Sequence, residues 1–143
     1  MIPTRADVVA AARGWLGTRW HHQASLRGVG ADCVGLIVGV ARELGIPEAA
    51  QFDASQQIRG YGRRPDPEML LRACDELLAP CEHPVAGDIL LFRFVSEPQH
   101  FGIMSASDYF IHAYAQGRKV VENRISDMWR ARIVGAYAYR GIT

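Results

Sequence analysis

An α+β domain, with helices in the first half and an antiparallel sheet in the second, is the fold class this sequence predicts. Three observations carry the prediction. Apolar residues before about position 78 recur at helical spacing behind capping signals, and from Gly87 onward they form short strand-like runs divided by turn residues. A chain of 143 residues with 49% hydrophobic content supplies one core and not two, so a single domain over residues 1–143 is expected.

The elements follow in order. Thr4 and Asp7 have capping-box spacing, and Val8, Val9, Ala12, Trp15 and Leu16 share one face, which predicts a helix over about 4–16 closed near Gly17. Residues 18–31 show no periodicity and read as a loop. A second helix is predicted from Cys33 to Leu44, stopped by Gly45 and Pro47. Its residues Cys33, Ile37, Val40 and Leu44 follow the helical period and turn the thiol inward, while Gly35 and Gly39 suit close packing on a sheet. After an irregular stretch over 46–65, Asp66, Pro67 and Glu68 cap a third helix reaching about Leu78, with Met69, Leu70, Ala73, Cys74 and Leu77 as its apolar stripe. Strands are expected at Ile89 to Phe92, His100 to Ala106, Tyr109 to Ala113, Lys119 to Val121 and Ile133 to Tyr139, with a helical turn over Ser126 to Arg130 carrying Trp129. Trp15, Phe92, Phe94, Phe110 and Tyr137 are the expected aromatic core.

Composition excludes several classes of function. A net charge of +1 with dispersed Lys, Arg, Asp and Glu leaves no footprint for nucleic acid. Three cysteines cannot close into pairs, which leaves a free thiol and suits a reducing compartment. The apolar run Val8 to Ala12 ends at Arg13, too short for an export signal, so synthesis in the cytoplasm is expected. Nothing reaches the roughly 18 apolar residues that membrane insertion needs. Cys74, Cys81 and His83 offer no Cys-x-x-Cys pair and no fourth ligand, so neither metal nor other cofactor is expected. Arg63-Arg64 and Arg118-Lys119 suit contact with carboxylates, with solvated surface as the plainer reading.

The chemistry concentrates at Cys33. It follows Asp32, an N-cap residue, at the start of the second helix, where free backbone N–H groups and the positive end of the macrodipole lower a thiol pKa. His100 and His112 fall on consecutive strands. Both imidazoles reach one sheet face only if their hairpin loop holds an odd number of residues, here three or five. His100 can then take the Cys33 proton while His112 holds the second ring nitrogen and fixes the tautomer.

Four strings in order, Asp32-Cys33-Val34-Gly35-Leu36, Gly87-Asp88-Ile89-Leu90-Leu91-Phe92, His100-Phe101-Gly102-Ile103-Met104 and Phe110-Ile111-His112-Ala113, resemble the NlpC-type cell-wall endopeptidases, which are papain-like cysteine peptidases. The resemblance implies a papain-like fold with the catalytic Cys at the N-terminus of a helix packed on an antiparallel sheet. It further implies Cys33 as nucleophile, His100 as general base and later acid, His112 as orienter, and peptidoglycan stem or bridge peptides as substrate. Gly17-Thr18 and His22-Gln23-Ala24-Ser25-Leu26 are most similar to phage-tail and gene-transfer-agent members, which implies delivery to the wall on a phage-like particle. Where that family usually carries a tyrosine for the oxyanion, this chain has Trp20, whose indole N–H donates from another place. Trp20, His22 and Asp32 are therefore the candidates for substrate or oxyanion contacts, with His21 read as an ordinary loop histidine. Two rivals stay open. One is an N-acetylmuramoyl-L-alanine amidase using the same Cys and His; the other is a non-enzymatic tail or wall-docking component.

Overall fold

The computed structural model of the chain describes residues 2–22, 24–46, 71, 74–94 and 98–143. Helix α1 is Arg5–Arg13. Its capping box is complete: the Asp7 amide donates to Thr4 Oγ1 at 3.2 Å and the Thr4 amide donates to Asp7 Oδ2 at 2.8 Å. The helix stops earlier than its apolar spacing suggests, because the Gly14 amide closes onto Ala10 and Ala11 and the chain then turns to a positive φ of 86° at Gly17. Past Arg13 the helical period no longer sets direction, so Trp15 is buried whereas Leu16 is 41% exposed, against the expected apolar face.

The stretch expected to be a loop contains a small antiparallel hairpin, β1 (Ser25–Leu26) and β2 (Gly30–Ala31). Helix α2, Cys33–Glu43, begins at Asp32, whose Oδ1 accepts the Gly35 amide at 2.8 Å, and closes through Leu44 to Gly45 at φ 71°. Every residue from 33 to 41 is buried, so α2 is a central helix and not a one-faced one. Its glycines do not meet the large sheet as expected. A Cβ on Gly35 would overlap the Ala24 carbonyl, and one on Gly39 would overlap the Trp15 ring, so both serve close packing of the 15–31 segment.

Residues 74–77 are helical and lead directly into β3, Leu78–Pro80, a strand the sequence pattern missed. Cys74 and Leu77 are buried as the stripe requires, while the cap at Asp66, Pro67 and Glu68, the stripe residues Met69, Leu70 and Ala73, and Arg63-Arg64 lie outside the described residues. The remaining elements are β4 (Ile89–Arg93), β5 (Pro98–Ala106), β6 (Tyr109–Tyr114), β7 (Lys119–Arg124), the short helix α3 (Asp127–Arg130) and β8 (Ile133–Tyr139). The six-stranded sheet runs β3-β8-β4-β5-β6-β7 with every pair antiparallel, an α+β architecture.

Alternation along the strands loads both sheet faces. Leu91, Phe101, Ile103, Ile111 and Val120 pack with α2, Val8, Ala12 and Trp15. Leu90, Phe92, Met104 and Phe110 face the other way and are covered by Ile125 and Trp129, the latter on α3. The start of β4 is pinned to α1 by Asp88, almost fully buried, which accepts Arg5 Nε–H at 2.8 Å and the Val85 amide at 2.9 Å. Of the expected aromatic core, Trp15, Phe92 and Phe110 are fully buried, each worth about 1.5–3 kcal/mol. Phe94 and Tyr137 are only half-buried, since Phe94 follows the end of β4 and Tyr137 lies partly open on β8.

Candidate active site

Cys33 is the first residue of α2, so its own amide and that of Val34 belong to the open end of the helix. Both reach the sulfur, together with the amide of Phe101 on β5. The Phe101 amide is free for this by strand parity. Met104 exchanges both backbone bonds with the β4 side, its amide donating to Asp88 O and its carbonyl accepting from Gly87, each at 2.8 Å. Odd residues of β5 therefore point toward β6. Pairing with β6 runs Ile103↔Ile111, Met104↔Phe110 and Ala106↔Tyr109 and does not extend to Phe101, whose N–H meets the thiol instead. The sulfur thus sits at the plane of the sheet beyond the last β5–β6 pair, beside the residue that follows His100.

The two histidines come together as the parity argument demands, but by a different device. The loop between β5 and β6 holds only Ser107 and Asp108, not three or five residues. The odd residue is Ser105, which bulges between the Met104 and Ala106 pairings and shifts β6 by one. Without it His112 would face the α2 side. With it, His100 Nε2 and His112 Nδ1 lie 2.7 Å apart, and His112 Nε2 lies 2.7 Å from Asn123 Oδ1 on β7.

Rings enclose the pair. Phe94 stacks on His100 at 5.3 Å, Phe110 and Tyr114 stack on His112 at 4.2 and 5.1 Å, and Trp129 presents its edge to His112 at 5.3 Å. His100 is 4% exposed and His112 not at all.

Burial dominates the proton affinities. It pushes the Cys33 thiol up to about 12, with the Asp32 charge adding to the rise and the three amides opposing it. The expectation that the helix start would lower this pKa is overturned, because the desolvation of a closed site outweighs three amide dipoles. Burial likewise holds His100 well below the usual imidazole value, helped by His112, and brings His112 down to about 4 against the hydrogen bond that its ring donates to Asn123. At neutral pH the site holds a thiol and two neutral imidazoles. No hydrogen bond joins the thiol to the His100 ring, an arrangement that such sites commonly tighten on binding substrate.

The remaining candidates lie beside α2's start. Trp20 donates its amide to Arg118 O at 2.8 Å and bridges Ala31, two residues before Cys33; its half-buried ring packs on the cluster containing the thiol. His22 stacks on Trp20 at 6.4 Å, and exposed His21 places Nδ1 3.0 Å from the His22 carbonyl. Asp32 spends Oδ1 on the helix cap. Arg118 and Lys119 are exposed, Arg118 at φ 62° in the β6–β7 turn. Among the described residues no three His, Cys, Asp or Glu side chains gather as a metal site, and no helix is long and apolar enough to cross a membrane.

Asn123 was missed by sequence reasoning, which ended β7 at Val121. The signal was present: a four-residue turn between Tyr114 and Lys119 sets His112 opposite Val121, and Asn123, two further along, returns to the His112 face.

The description of the NlpC/P60 family matches residues 15–138. No curated protein matches the chain. Among solved structures, the NlpC/p60 domain of the peptidoglycan hydrolase SagA superposes with a TM-score of 0.62 at 21% identity, covering 94% of this chain and 98% of that one. An NlpC/P60 family protein from Bacillus cereus gives 0.66 at 19% identity over 100% of this chain and 42% of its own. A protein of the same family similar to lipoprotein, from Staphylococcus aureus, gives 0.63 at 19% identity over 97% and 41%. The chain therefore spans about two fifths of the latter two.

Proposed function

Because the chain belongs to the NlpC/P60 family, whose members are cysteine peptidases and hydrolases acting on peptidoglycan, we propose that it hydrolyses peptide bonds in the stem or bridge peptides of peptidoglycan. The observation that carries this reading is the run His100, His112 and Asn123 at 2.7 Å spacings, together with a Cys33 thiol that is held by the amide of Phe101, the residue after His100.

In the proposed reaction the substrate carbonyl enters over the start of α2. Sγ of Cys33 attacks its carbon as the thiol proton passes to His100, and the tetrahedral oxyanion takes hydrogen bonds from the helix-start amide of Cys33 and the indole N–H of Trp20. His100 then protonates the leaving amine, and water, deprotonated by the same ring, resolves the thioester. His112 keeps His100 oriented throughout. His22 extends the substrate wall beside Trp20.

Incubation of the purified chain with defined muropeptides, followed by mass analysis of the fragments, tests the reading. Cleavage within the peptide is expected, abolished by Cys33→Ala and by His100→Ala with folding intact; hydrolysis retained by either variant would reject the assignment. Release of the whole stem peptide from muramic acid would instead identify an amidase. Association with a phage tail or gene-transfer particle rests on Gly17-Thr18 and His22–Leu26 alone and belongs to the same proposal.

A further inference from the structure

We propose that Asn123 is a positioning residue that sets the direction of the two-imidazole relay and thereby makes Nδ1 of His100 the atom that accepts the thiol proton. The inference deepens the hydrolase reading and takes its catalytic meaning from it. Its structural content stands on the contacts alone.

With both rings neutral, each imidazole carries one N–H, and a chain of two rings has two self-consistent patterns. In one, His112 donates from Nε2 to Asn123 Oδ1, its Nδ1 is then a lone pair, His100 donates to it from Nε2, and Nδ1 of His100 is left basic. In the other, an amide N–H₂ donates to His112 Nε2, every bond reverses, and His100 carries its proton on Nδ1, where it cannot take another from the thiol. The structure places Asn123 Oδ1, an acceptor, 2.7 Å from His112 Nε2, and His100 Nε2 at the same distance from His112 Nδ1, which selects the first pattern. The enclosure explains why an amide holds this place. A carboxylate would select the same direction but would draw charge into a site walled by Phe110, Tyr114 and Trp129. Asn123 is half-buried on β7, held on the same face as His112 by the β6–β7 register, so its carbonyl is positioned by the sheet.

Nitrogen-15 spectra of the histidine rings read the tautomers directly. In the parent protein both rings should carry their proton on Nε2, with Nδ1 of His100 unprotonated. Asn123→Leu, which keeps volume and removes the acceptor, should give mixed or reversed protonation at His100 while the backbone amide spectrum stays dispersed; with muropeptide, kcat should fall about tenfold or more at a KM changed less than twofold, since a mis-set tautomer damages the chemical step far more than binding. Asn123→Asp can only accept, so it should restore the Nε2–H form and recover most of the kcat that Leu loses. A parent protein protonated at Nδ1 of His100, a Leu variant with unchanged tautomers, or an Asp variant no better than Leu would each overturn the proposal. If the parent protein cleaves nothing, the hydrolase reading fails, and the ring spectra still decide the role of Asn123.

Discussion

Alkylation of Cys33 across pH tests the electrostatics on which the mechanism turns. The rise of the thiol from 9.0 to about 12 corresponds to about 4 kcal/mol in favour of the protonated form. At pH 8 the thiolate share is then on the order of 10⁻⁴, about a thousandth of that of an ordinary thiol. With His100 also held below its usual value, burial favours the neutral thiol and imidazole at rest, which suits attack on the carbonyl in step with proton transfer to His100. The assay is the rate of iodoacetamide labelling from pH 6 to 11 at constant ionic strength, with peptide masses separating Cys33 from Cys74 and Cys81. The rate at Cys33 should rise about tenfold per pH unit with no plateau, since only thiolate reacts. Low accessibility scales the whole curve without moving its midpoint. Asp32→Asn keeps a competent helix cap and removes the adjacent charge, and should shift the curve to lower pH. A plateau with its midpoint below about 8 would refute the reasoning and show that the helix terminus outweighs burial.

His112 makes the fold acid-sensitive: the unfolded chain takes up its proton near 6.5 and the folded one only near 4, so stability is complete above about pH 6.5 and falls as pH drops toward 4, by at most about 3 kcal/mol. Urea midpoints at pH 7.5 and 4.5 should show the loss, and His112→Gln should show less of it; equal losses would place the effect elsewhere. At Trp20, Tyr should raise kcat/KM if a hydroxyl is the better oxyanion donor, and Phe should lower it, with a ceiling of about 10²–10³ for a single donor. Identical rates for Trp, Tyr and Phe on muropeptide would remove residue 20 from the oxyanion site.

What could be read from the sequence was set by interactions between near neighbours. Thr4 with Asp7, Asp32 with Gly35, and the stop at Gly45 each act within one helical turn, and each stands where its spacing placed it. The papain-like fold, with Cys33 opening a helix against an antiparallel sheet, was likewise legible from the four strings. The misses depend on distant partners. β3 exists because β8 offers it an edge, and β1 and β2 are two residues each, too short for any period to register. The direction of the Cys33 pKa failed for the same reason. The dipole of α2 is written in the residues after Asp32, but the desolvation that overrides it comes from burial of the thiol in a core that only the folded chain assembles.

The bulge at Ser105 shows where a constraint is legible and its solution is not. That an odd residue must stand between His100 and His112 follows from the two-residue period of a strand alone. Whether the loop or the strand holds it depends on which distortion is cheaper, and nothing local records that choice. The strand took it, leaving Ser105 buried with an Oγ that has no partner among the described residues, a cost of about 1–3 kcal/mol. Regular pairing through residue 105 would turn His112 to the α2 face, away from His100 and Asn123. The bulge in the sheet therefore stands at a place where correcting it would dismantle the relay.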